Sequence, residues 1–126
     1  MAVAQRSLRA DPLSGPRQLI DLVDYQDGSV VSRVLFRSTG GVMTVFAFAE
    51  GQGLTEHSSP HDAVVQILEG GVSITLGAEE HHVSEGELLH LPSTVPHALH
   101  GGAPFKMLLT ILKRERAASE ATRADA

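Results

Sequence analysis

Histidines are the side chains of this chain best suited to hold a metal ion or a polar ligand. The sequence contains seven histidines and no cysteine. Histidine and carboxylate are therefore its only strong metal ligands, and neither a disulfide framework nor a thiolate nucleophile is possible. Residues 51–70, GQGLTEHSSPHDAVVQILEG, hold His57 and His61, and residues 86–97, GELLHLPSTVPH, end at His97. The second stretch thus repeats the strand, turn and histidine of the first.

The spacing of His57 and His61 decides whether they can share a ligand. Residues two apart on a strand lie about 6.6 Å apart on one face, whereas residues four apart are separated by about 13 Å. That larger separation is too long for two imidazoles to bind one metal at about 2.1 Å. Pro60 lies between them and favours a bend. Residues 59–62, SPHD, are also typical of a single capped helical turn, and either conformation would bring the two histidines closer.

Short β-strands are predicted to position these histidines. Apolar or β-branched runs recur every eight to twelve residues or so, with glycine or proline between them, which indicates an all-β sandwich or barrel. Residues 19–23 are predicted to form a short strand or a turn of helix. The later runs lie at residues 30–37, 42–49, 64–68, 72–76, 81–83, 88–91, 97–100 and 105–112.

Over about residues 30 to 112 the chain resembles the cupin family. Cupins carry a first motif with a glycine, a His-x-His pair, a Glu and a closing glycine, then a second motif with a glycine, a proline and a last His. The second motif is the more specific match, since Gly86, Pro92 and His97 fall at the family's spacing. The resemblance implies an all-β fold of the cupin type, a double-stranded β-helix or jelly-roll barrel.

The resemblance also implies a metal site, which this sequence matches only in part. His57 and His97 take the first and last histidine positions, but Ser59 stands where the second His belongs and Ala63 where the Glu belongs. We expect His61 to compensate, so that His57, His61 and His97 bind one divalent metal ion: Fe, Mn, Ni, Cu or Zn. His90 and Ser59 are predicted to line the pocket or to support the metal ligands from behind.

Two functions remain open on this pattern. The first is a small metal-dependent cupin, an oxygenase or an isomerase, that acts on a small organic molecule. The alternative is a non-enzymatic cupin that binds or senses a small ligand and has a degenerate metal site. The predicted pocket walls are mostly valine, isoleucine and leucine, which suit many small apolar ligands and do not identify one.

Composition sets the class of the protein and excludes some partners. A chain of 126 residues with 42% hydrophobic residues is long enough for one globular domain. A net charge of −5, with both signs scattered along the chain, argues against a nucleic-acid surface. No apolar run reaches the roughly 18 residues of a membrane span. We expect a cytoplasmic protein with a mobile tail over residues 1–18, a cupin domain over 19–113 and a polar tail or frayed helix over 114–126.

A homodimer is also predicted. Residues 42–49 and 107–112 are apolar on both strand faces, as are residues 64–68 apart from Gln66. A sheet with one solvated face alternates apolar and polar residues instead. A domain this small cannot bury all of these side chains alone, so part of that surface is expected to form an interface.

Overall fold

The computed structural model describes residues 11–113, which contain nine β-strands and one short 3-10 helix at Leu19–Leu22. The predicted tails fall partly outside it: residues 1–10 and 114–126 lie beyond the described range. The strands are β1 (Val30–Ser38), β2 (Gly41–Phe48), β3 (Leu54–His57), β4 (Asp62–Glu69), β5 (Gly71–Leu76), β6 (Glu79–Ser84), β7 (Leu88–Leu91), β8 (His97–His100) and β9 (Phe105–Leu112).

The strands form two antiparallel sheets. The five-stranded sheet has the order β1-β2-β9-β4-β7, and the four-stranded sheet has the order β3-β8-β5-β6. In each sheet one pair of neighbouring strands is consecutive in the chain, β1–β2 and β5–β6, and the other neighbours are distant in sequence, so that β9 lies between β2 and β4. The predicted all-β fold is confirmed, and no helix of the described residues is long and apolar enough to cross a membrane.

The main core lies between the two sheets. On β4 the inward residues Ala63, Val65 and Ile67 are buried, while the residues between them are only partly covered. Phe48 and Phe105 stack at the centre with ring centroids 4.4 Å apart and an interplanar angle of 7°. This period-two burial follows from the opposite directions of successive side chains on a strand.

A second core covers the outer face of the five-stranded sheet. Residues 19–25, here called the N-terminal strap, lie over this face, and Leu22 and Val23 pack with Leu35, Val45, Ala47 and Leu108. The strap therefore covers, within one chain, part of the apolar outer face from which a dimer was predicted. The dimer itself stays a prediction.

Polar contacts fix both ends of the strap. The Lys106 ammonium, on a buried residue, donates a hydrogen bond to the carbonyl of Ile20 at 2.8 Å and lies 5.1 Å from the Tyr25 ring centroid. The Tyr25 hydroxyl donates to the Glu69 carboxylate at 2.8 Å. Partial burial, this hydrogen bond and the carboxylate charge raise the pKa of Tyr25, so the hydroxyl stays a donor.

Candidate ligand-binding site

His57 and His97 lie side by side at the ends of two neighbouring strands. They are direct partners in the β3–β8 register. Their ring centroids are 4.4 Å apart, and the ring planes meet at 67°. Directly opposed residues of an antiparallel pair point to the same face of the sheet. Pairing of two strands that are forty residues apart in sequence therefore creates the histidine pair.

The strand connections show which end of the barrel this is. β4 runs into β5 through Gly70, so the start of β4 and the end of β5 lie at the end opposite that turn. Leu76 pairs with His97, and Ala63 pairs with both Ile111 and Leu91. We call this end the barrel mouth. The inward side chains at this end include Leu76, Ala63, Leu91 and Ile111, all of which belong to or pack against the main core.

Both histidines are oriented in the same way by a backbone carbonyl two residues earlier. The Nδ1 atom of His57 lies 2.9 Å from the carbonyl oxygen of Thr55, and the Nδ1 atom of His97 lies 3.2 Å from that of Val95. A carbonyl oxygen can only accept, so each Nδ1 carries the hydrogen. In the neutral ring Nε2 then keeps its lone pair, which is the form that binds metals or accepts hydrogen bonds.

The two rings differ in burial. His97 is only 8% exposed, whereas His57 is exposed. Burial lowers the pKa of His97, and the nearby His57 adds to this effect, although the hydrogen bond to Val95 acts in the opposite direction. His97 is therefore neutral near pH 7.

The Nε2 atom of His97 must reach solvent despite this burial. It has no hydrogen-bond partner within residues 11–113. In the same range no buried side-chain nitrogen or oxygen lacks a partner. Since an enclosed Nε2 would break that rule, the atom keeps some solvent-accessible surface.

The predicted third ligand lies in the loop between β3 and β4. There the backbone N–H of His61 donates to the Ser59 hydroxyl at 3.1 Å, and Thr94 N–H donates to the Ser59 carbonyl at 2.7 Å. Within residues 11–113 no three His, Cys, Asp or Glu side chains, His57, His61 and His97 included, are grouped to hold a metal ion. The donor set present therefore does not by itself fit a three-ligand metal centre, and the role of His61 stays a prediction.

His90, predicted to line the pocket, lies on the other face of its sheet. Its neighbours Leu89 and Leu91 pack into the main core, so strand alternation directs His90 outward. It is 60% exposed, and its Nε2 lies 3.1 Å from the Asp62 carboxylate. That carboxylate also accepts a hydrogen bond from Ser93 N–H at 3.0 Å. His90 thus helps to hold the β4–β7 edge and does not join the histidine pair.

Sequence reasoning did not identify the two carbonyls that orient the pair. A hydrogen bond to the residue two positions earlier leaves no signal in side-chain type, since any residue offers a carbonyl. The remaining histidines lie on β6 and β8. His82 and His100 are exposed, His100 contacts the Thr75 hydroxyl, and His81 pairs with Glu79 at 3.3 Å.

Comparison with known proteins gives matches along most of the domain. The model of the cupin domain family matches residues 44–111. An uncharacterized protein of Streptomyces coelicolor is 33% identical over 60 residues, which cover 46% of this chain and 57% of that protein. The match therefore spans little more than half of that relative's length.

Two solved structures show the same architecture over a longer stretch. A conserved protein of unknown function from Streptococcus pyogenes is 36% identical with a TM-score of 0.76, covering 82% of this chain and 90% of that one. A cupin superfamily protein from Desulfitobacterium hafniense is 28% identical with the same TM-score of 0.76, covering 82% of this chain and 94% of the other.

Proposed function

Since this chain belongs to the cupin family, we propose that it binds a small organic molecule at the barrel mouth and acts as a ligand-binding or sensor domain. The observation that carries the proposal is the pair formed by His57 and His97, whose rings lie 4.4 Å apart. Rings this close can both be contacted by one small ligand.

The neighbouring positions support binding more than metal catalysis. Where cupins place two further ligands, this chain has Ser59, whose hydroxyl accepts a backbone hydrogen bond, and Ala63, which has no donor atom. The apolar residues at the same end of the barrel, among them Leu76, offer hydrophobic contact area. A few polar groups within an apolar pocket are the usual composition of a small-molecule site.

A fragment screen by thermal shift tests this proposal. Tag-free protein is screened in the presence of a chelator against small alcohols, phenols and carboxylic acids. A compound present at 100 times its Kd stabilises the fold by about 2.7 kcal/mol. We expect this stabilisation to be lost in His57→Ala and His97→Ala but kept in His82→Ala, which changes an exposed histidine elsewhere. Hits that persist after loss of both mouth histidines, or a screen without hits, would refute the proposal.

A metal-dependent oxygenase or isomerase is the second candidate. The observation in its favour is that a backbone carbonyl holds each Nδ1–H, because histidine ligands in metalloproteins are commonly oriented by such a hydrogen bond. In this candidate His57 and His97 supply two ligands and His61 moves to supply the third. The ion would be Fe, Mn, Ni, Cu or Zn and would act as a Lewis acid toward the substrate.

Metal analysis separates the two candidates. Protein purified without a His-tag is analysed by mass spectrometry, as isolated and after loading with each of the five metals. If the protein is a metalloenzyme, we expect about one metal ion per chain and a lower metal content in both His61→Ala and His97→Ala. If only His97→Ala loses the metal, His61 is a loop residue. If no form can be loaded, the ligand-binding function stands alone.

We also propose a homodimer, supported by apolar side chains that the strap leaves uncovered. Phe36 is 50% exposed and Leu112 is 53% exposed. They line one apolar groove with Val42, Met43 and Ile111 at the edge of the five-stranded sheet. A cytoplasmic location remains a prediction from composition.

A further inference from the structure

The geometry points to the chemical class of the ligand: we infer that it presents a hydroxyl or another neutral hydrogen-bond donor to the His57–His97 pair, and not a carboxylate or phosphate. This inference rests on the proposed function, because it concerns the same site without a metal ion. Beyond the proposed function, it specifies that the polar end of the ligand contacts the histidines and that this end must donate a hydrogen bond.

The hydrogen bonds of the two rings set this requirement. Each Nδ1–H is committed to a backbone carbonyl, at 2.9 Å for His57 and 3.2 Å for His97. A neutral imidazole has one donor and one acceptor nitrogen, so each Nε2 is an acceptor. A ligand anion placed against either Nε2 would then face a lone pair and no donor. A hydroxyl offers a hydrogen to one Nε2, and a diol or enol can serve both.

The surroundings of His97 strengthen the requirement. The ring is 8% exposed, and its partner across the sheet is the apolar residue Leu76. Charging a ring in apolar surroundings is unfavourable, and an unpartnered anion there would also lose its hydration. A neutral ligand with an apolar body avoids both costs. Its hydrocarbon part packs on the walls while its hydroxyl reaches Nε2.

Nitrogen-detected NMR of the histidine side chains is the first measurement. At about pH 8, where imidazoles are neutral, we expect both mouth rings to show the Nδ1–H form with an unprotonated Nε2. The matched control is His82, whose ring has no hydrogen-bond partner within residues 11–113 and is expected to show the ordinary mixture of forms. An Nε2–H form at His57 and His97 would overturn the inference.

Binding of matched probes is the second measurement. Phenol, benzoate and toluene, and the smaller pair butanol and butyrate, are titrated at the same pH with a chelator present. We expect each hydroxyl probe to bind at least tenfold more tightly than its carboxylate partner and to shift the Nε2 resonances. In the double variant His57→Phe/His97→Phe, which keeps two apolar rings and removes both acceptors, phenol should bind no better than toluene. His82→Phe should leave the order unchanged.

The outcomes separate this inference from the function on which it rests. If a carboxylate or toluene binds at the mouth as tightly as the hydroxyl probe, the binding function survives and the donor requirement is wrong. If a carboxylate binds only after addition of zinc, the metalloenzyme candidate is supported and the inference fails. If no probe of either size binds, the proposed function fails together with it.

Discussion

Shortening Leu22 to alanine tests the packing of the N-terminal strap on the outer face of the five-stranded sheet. Leu22 is 9% exposed and contacts a cluster that includes Val45 and Leu108. Buried Leu→Ala changes cost about 2–5 kcal/mol. Because Leu22 lies just below the surface, where the strap can partly collapse, we expect the lower half of that range. For a domain of this size each kcal/mol lowers the Tm by about 4–8 °C, so a loss of about 2–3.5 kcal/mol should lower the Tm by about 8–28 °C.

Leu13→Ala is the matched control for Leu22→Ala. Leu13 is the same residue type nine positions earlier, is 37% exposed and lies outside both core clusters. Surface changes of this kind alter stability by about 0.5 kcal/mol or less. Removal of residues 1–17, which leaves the strap in place, should likewise change the Tm by only a few degrees. Thermal unfolding by circular dichroism or calorimetry measures all three, and equal melting of Leu22→Ala and Leu13→Ala would refute the packing of the strap.

Three further predictions follow from the contacts of other side chains. The pKa of His97 is lower in the native protein than the value of about 6.5 expected in the unfolded chain, so at acidic pH the unfolded chain takes up a proton that the native ring does not. The free energy of unfolding should therefore fall between about pH 7 and pH 5. Chemical denaturation at a series of pH values measures this fall, which should be smaller in His97→Gln. Phe36→Glu should convert the proposed dimer to a monomer, as measured by light scattering. Leu88→Glu, which changes a more exposed residue outside the Phe36–Leu112 groove, should leave the dimer intact. A monomeric mass for the unmodified protein at micromolar concentration would contradict the dimer. Lys106→Met should lower the free energy of unfolding by about 1–3 kcal/mol, because it leaves the carbonyl of Ile20 without its hydrogen-bond donor. An unchanged midpoint of urea-induced unfolding would contradict this and would show that water replaces the ammonium.

Much of the fold could be predicted because local patterns and turn residues agree with it. The last three strands, β7, β8 and β9, have the bounds that the apolar runs and the glycine and proline turns indicated. The sequence of residues 19–23 predicts either a strand or a helical turn, and the structure has a 3-10 helix there. A run of five residues with both apolar and polar side chains fits either conformation, so only its packing on the sheet could decide.

The candidate site shows the same division between local pattern and tertiary contact. Residue types and motif spacing selected His57 and His97, and the absence of cysteine left histidine as the principal candidate ligand. The two rings lie side by side because β3 pairs with β8. Each Nδ1 carries a hydrogen because it faces a backbone carbonyl, and no residue type in the sequence indicates that carbonyl. His90 was expected in the pocket, but its strand presents leucines to the core and directs it to Asp62. Side-chain type and spacing are properties of the chain, whereas the partner across a sheet is chosen by the packing of the whole domain.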